Sequence, residues 1–175
     1  MNNKELYLYV RAKKNSNRLS EMEDIFKSLI TRQITETTVP SDITSIGSSA
    51  FQNCRNLQTV TIGHGVERIN VSAFTNCVSL TYMYLPNTIN YIANTNPFNG
   101  CSELTVVSLE NGFNANSLNL SASTNFSAET LVAILNALAD RTGLEAYTLT
   151  LGSANLEKLS NEQIAIATEK NWTLA

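Results

Sequence analysis

The chain has 175 residues, of which 43% are hydrophobic and 15% charged. That is enough for one domain with a sizeable core, and it gives an ordinary globular composition with a rather uncharged surface. Twelve Lys and Arg stand against fifteen Asp and Glu, a formal charge of −3, and the only basic run is Lys13–Lys14; this argues against nucleic acid or an anionic membrane as partner, since both ask for a basic face.

The N-terminal "MNNKELYLYVRAKKN" has neither the apolar h-region nor the cleavage site of a signal peptide. No window approaches the ~18 apolar residues of a membrane span. The sequence thus reads as a soluble chain without a leader and leaves its compartment open. In "ELYLYV", Leu6, Leu8 and Val10 alternate onto one face of a strand. "SEMEDIFKSLITR" reads as a helix. Ser20 and Glu23 have capping-box spacing, and Met22, Ile25, Phe26 and Leu29 make an apolar stripe. Glu21, Glu23 and Asp24 favour its N-terminal dipole and read as a solvated face. Residues 1–33 are expected to form a β-α cap.

From "ITETTV" (34–39) onward one pattern dominates. "AFQNCRNLQTVTI" at 50–62 returns as "AFTNCVSLTYMYL" at 73–85 and as "PFNGCSELTVVSL" at 97–109. Phe51, Phe74 and Phe98 recur at intervals of 23 and then 24 residues. The same spacing holds for Cys54, Cys77 and Cys101, for Leu57, Leu80 and Leu104, for Val60, Met83 and Val107, and for Ile62, Leu85 and Leu109. Ile43, Val66 and Ile89 form a further column, as do Ile46, Ile69 and Ile92. One such unit cannot bury its own apolar face, whereas stacked units bury each other's, so the columns persist while surface positions drift. Within each unit L-x-x-[VM]-x-[IL] predicts a short strand whose inward and outward residues alternate. Ile34, Thr37 and Val39 extend the strand column one unit upstream.

The run I-x-x-I-x-x-x-A-F-x-x-C-x-x-L-x-x-V-x-I from Ile43 to Ile62, repeated through Leu109, resembles the BspA-like leucine-rich repeats of bacteria over roughly residues 34 to 120. The resemblance implies a curved solenoid that serves in adhesion or protein recognition, not in catalysis. It also implies a family often secreted or attached to the cell surface.

Downstream, "SLNLS" (117–121) predicts a strand, and "SAETLVAILNALADRTG" a helix from about Ser127 to Asp140 with Gly143 as its stop. "AYTLTLG" is a strand again, "SNEQIAIATEK" a second helix with Ser160 and Gln163 as capping box, and "WTLA" a last short strand. The expected architecture is an α/β solenoid, a right-handed leucine-rich-repeat coil forming a single domain over 1–175. One parallel sheet would run through it in chain order. Repeats would occupy 34–120, and 121–175 would be a cap of longer repeats with helices on the convex side.

The three cysteines form a column. Zinc needs ligands around one point, and the sole histidine, His64, lies in a "GHG" turn away from that column. Three buried free thiols are therefore expected, with no metal and no cofactor. No Ser-His-Asp arrangement or phosphate-binding glycine loop can be argued; "NPFNG" and "ENG" read as turns. The expectation is a protein that is not an enzyme. The sequons at Asn70, Asn119, Asn125 and Asn171 read as accidental in a chain this rich in Asn.

The outward strand positions Tyr7, Tyr9, Glu36, Thr38, Thr59, Thr61, Tyr82, Tyr84, Val106, Ser108, Asn119, Thr148 and Thr150 would tile one face. Most are small. Tyr82 and Tyr84 are a large amphipathic pair of the kind that anchors interfaces. Thr59, Thr61, Val106 and Ser108 would border them, with His64 and Glu110 on the rim. The expected role is recognition of a protein or glycan on that face. The alternative is a structural spacer or assembly component of a phage or cell-surface structure.

Overall fold

A computed structural model describes residues 34–175; the strand and helix expected over 1–33 lie outside them. Six turns of chain follow one another among the described residues, and each contributes first to one wall and then to a second. On the first wall β1 (Glu36–Val39), β3 (Thr59–Ile62), β5 (Tyr82–Leu85) and β7 (Val106–Leu109) pair in parallel in the order 1-3-5-7. The register is that of the repeat, with Thr37 beside Val60, Val60 beside Met83, and Met83 beside Val107. On the second wall β2 (Ser45–Ile46), β4 (Arg68–Ile69) and β6 (Tyr91–Ile92) pair likewise. Their inward Ile46, Ile69 and Ile92 are buried.

A third side closes each turn of the coil. Here Phe51 and Phe74 stack with centroids 5.0 Å apart, and Phe74 and Phe98 at 5.8 Å, as the spacing predicts. The N–H groups of Ser49, Phe51 and Asn53 donate to the carbonyls of Val71, Ala73 and Thr75 at 2.9, 2.7 and 2.8 Å. Ser49 and Asn53 hold φ of 57° and 62°, and Ser72, Asn76 and Gly100 hold 57°, 61° and 78°. These left-handed residues turn successive N–H groups along the stacking axis. Asn and Gly are the residues that adopt this region most readily.

The single continuous sheet is not what forms. Among the described residues there are three sheets, and β8 (Ser117–Asn119), β9 (Tyr147–Thr150) and β10 (Trp172–Leu174) make the third, in the order 8-9-10. This sheet prolongs the second wall. Asn116 Oδ1 accepts from the Ile92 N–H at 2.7 Å, and Ser117 Oγ donates to the Ile92 carbonyl at 3.5 Å. The first wall is prolonged by helices. Gly112 and Phe113 donate to the Ala137 carbonyl at 2.9 and 3.0 Å, at the end of α1 (Ala128–Ala137). Arg141 in turn donates to the Lys170 carbonyl at 3.0 Å, at the end of α3 (Asn161–Glu169). The helices therefore stand in line with β7, in the first wall. Asn119, Thr148 and Thr150 belong to the second wall and leave the predicted face.

The cause is local. "SAETLVAILNA" carries good helix formers behind an N-cap, Ser127, whose hydroxyl accepts from the Thr130 N–H, and it buries Leu131, Ile134 and Leu135 at helical spacing. A helix spends its backbone groups internally, so it cannot extend the ladder beside β7. The helix also ends earlier than expected, because Leu138 turns extended to bridge Phe113. Gly143, at φ 79°, lies in the following loop and caps nothing. The Ser160–Gln163 capping box of α3 forms as predicted. A short helix, α2 (Ser153–Leu156), was not anticipated. Lys170 Nζ donates to the carbonyls of Leu135, Asn136 and Leu138 at 3.2, 2.6 and 3.0 Å, so α3 closes the C-terminus of α1.

Candidate functional site: the tyrosine face of the first wall

The outer face of the four-stranded sheet consists of two lateral rows. Glu36, Thr59, Tyr82 and Val106 stand side by side in one, and Thr38, Thr61, Tyr84 and Ser108 in the other. The alternation of the strands places all eight on the side away from the core. Val106 is 39% exposed and the two tyrosines are half-buried. The six sheet residues singled out by sequence are thus brought together.

His64 and Glu110 join them at the ends of the strands. The "GHG" turn tucks under its predecessor, since a Cβ at Gly65 would collide with the Ser41 carbonyl. His64 Nδ1 lies 3.4 Å from Glu110 Oε2, and its ring meets Tyr84 edge-on at 6.3 Å between centroids. Glu110 reaches back across one turn, and its Oε2 also accepts from the Asn87 N–H at 3.0 Å. Partial burial, then the Glu110 charge and then Tyr82, push the Tyr84 hydroxyl above the usual tyrosine range. The phenol therefore stays a neutral donor at physiological pH.

The cysteine column is internal. Cys54, Cys77 and Cys101 are buried and form no disulfide, with Cys77 Sγ donating to the Phe51 carbonyl at 3.1 Å and Cys101 Sγ to that of Phe74 at 3.3 Å. The neighbouring Cys101 thiol and burial push Cys77 far above the ordinary thiol range. Cys77 therefore stays a thiol. Among the described residues no three His, Cys, Asp or Glu gather closely enough to hold a metal ion. The sequon amides have structural uses. Asn70 Nδ2 donates to Ser45 Oγ and the Ile46 carbonyl, each at 2.8 Å, and Asn125 Nδ2 to the Ser102 carbonyl at 3.0 Å. Asn171 Nδ2 donates to the Leu144 carbonyl at 2.6 Å, and Asn119 Oδ1 accepts from the Ser121 hydroxyl at 2.7 Å.

Sequence reasoning missed one surface feature. On the outer side of the second wall the Arg68 guanidinium lies over the Tyr91 ring, 4.0 Å from its centroid, across the β4–β6 pair. The signal was the column Ser45, Arg68, Tyr91 preceding the isoleucine column. It was hidden because a two-residue strand is too short to display alternation.

Parallel strands stacked turn upon turn, with Phe, Leu and Ile columns inside and a variable outer row, define a leucine-rich-repeat solenoid. A family model described as "BspA type leucine rich repeat region" matches residues 23–138 in 6 copies; the chain belongs to this family. Solved structures similar to it include a leucine-rich repeat protein of T. pallidum, at 16% identity and TM-score 0.48 over 81% of this chain and 72% of that one. Another is a leucine-rich cell surface protein of Faecalibacterium prausnitzii, at 21% identity and TM-score 0.38 over 73% of this chain and 38% of that one. No curated protein matches. Among the described residues no helix is long and apolar enough to cross a membrane.

Proposed function

We propose that the protein is a non-enzymatic recognition module of a single domain, binding a protein or glycan on the outer face of the first wall. The observation that carries this reading is the placement of Tyr82 and Tyr84 at the centre of that face. They are flanked by small residues, and His64 and Glu110 gather at one end. The scaffold columns pack into the core, with only Ile43 and Leu109 partly buried, so variation is free where the two rows meet solvent. The cell-surface habit of the family suits such a role. A spacer in a phage or cell-surface assembly remains the alternative, and it would make no demand on the tyrosines.

Replacing both tyrosines by Ser tests the reading. Folding should be nearly unchanged, because substitutions on the outer face, away from the core, move stability by only about 0.5 kcal/mol. Affinity for a partner captured from glycan-array or pull-down screens should fall by on the order of 2 kcal/mol or more, the hot-spot scale. Undiminished binding by the double variant would move the site elsewhere, and an unfolded variant would place the tyrosines in the scaffold.

A further inference from the structure

We propose that the group this face recognises is a cation, an Arg or Lys side chain on an extended segment of a protein partner, seated on Tyr84 against the Glu110 carboxylate. The inference rests on the reading of the first wall as a binding face and specifies its ligand. Charge complementarity carries it. Of the eight outward positions on β1, β3, β5 and β7, one is acidic, two are aromatic and none is Lys or Arg. Glu110, held against His64 and close enough for its charge to act on Tyr84, adds a second carboxylate at the end of that row. Aromatic rings attract cations to their faces, guanidinium most often, and an adjacent carboxylate strengthens the hold.

Two internal comparisons point the same way. Elsewhere this chain covers tyrosine rings with its own arginines. Arg68 lies over Tyr91 at 4.0 Å and Arg141 over Tyr147 at 3.4 Å. On the first wall two tyrosines stand forward with no basic residue in their rows. The group that does approach there is His64, 59% exposed at its side chain, 3.4 Å from Glu110 and edge-on to Tyr84. A net charge of −3 favours encounter with a basic segment.

The test is an NMR titration of the whole chain with the peptide Ac-Gly-Ser-Arg-Ser-Gly-NH2, following the tyrosine ring signals. The same peptide with citrulline in place of arginine keeps the shape and removes the charge. The expected result is a saturable shift of the Tyr82 and Tyr84 rings with the arginine peptide. Citrulline should weaken it about tenfold and Glu110→Gln about fivefold, the order expected for an exposed cation–π contact with a charge partner. Glu157→Gln, which removes an equal charge from the far end of the chain, should leave it unchanged. Equal binding of the citrulline peptide, or indifference to Glu110→Gln, overturns the proposal. Ring shifts with a neutral oligosaccharide such as maltohexaose, and none with the arginine peptide, overturn it while keeping the face as a binding site. Silence to both probes counts against the face itself.

Discussion

Thr37 stands in a column otherwise filled by Val60, Met83 and Val107, and its hydroxyl is buried with no hydrogen-bond partner among the described residues. The repeat pattern made the position inward. The cost of a hydroxyl there is a desolvated polar atom, on the order of 1–3 kcal/mol when unpaired. Valine has nearly the same shape without the hydroxyl. Thr37→Val should therefore raise the unfolding free energy by about 1 kcal/mol, seen as a higher urea midpoint at unchanged slope. A lower midpoint would mean that the hydroxyl has a partner in the folded chain. The tyrosines illustrate the opposite limit of sequence reading. Their placement followed from the period of two, but the approach of Glu110 back to His64 depends on how successive turns overhang. No spacing rule conveys that.

At the scale of elements, the stacked phenylalanines are the strongest test of the coil. Phe74 lies between Phe51 and Phe98, nearly parallel to both, at interplanar angles of 1° and 14°. Truncation to Ala would leave a cavity bounded on two sides by rings that cannot collapse into it. Phe74→Ala should cost about 3–5 kcal/mol in a denaturant melt; a loss under about 1 kcal/mol would mean the stack relaxes freely. The first wall, this stack and the helix of residues 161–169 were all readable, because long columns and a capping box are signals of pattern. The second wall was not. Its isoleucine columns were visible, but strands as short as Arg68–Ile69 carry no alternation. The helix of residues 128–137 was seen, yet its position in line with the sheet was not. Helical pattern says that a helix forms, while its neighbour is decided by the pairing of the segments on either side, Phe113 with Leu138.

At the scale of the molecule, one contiguous core runs from Ile34 to Trp172, and the three thiols sample three successive turns of it. If the coil opens as a unit, Cys54, Cys77 and Cys101 should all react slowly with a thiol reagent in the native protein. Their labelling should then rise together at one denaturant concentration. Early labelling of a single cysteine, resolved by mass spectrometry, would mean that the stack frays turn by turn, as quasi-one-dimensional repeat arrays can. Rapid labelling of all three without denaturant would contradict their burial. The change from strand to helix after Leu109 also has a metric meaning. The four described strands, at about 4.8 Å spacing, give a face whose outer strands lie about 14 Å apart, and the helix of residues 128–137 fixes where it stops beyond β7. The coil is thus a ruler: a segment lying across the four described strands in extended form, at about 3.3 Å per residue, would span them with four or five residues.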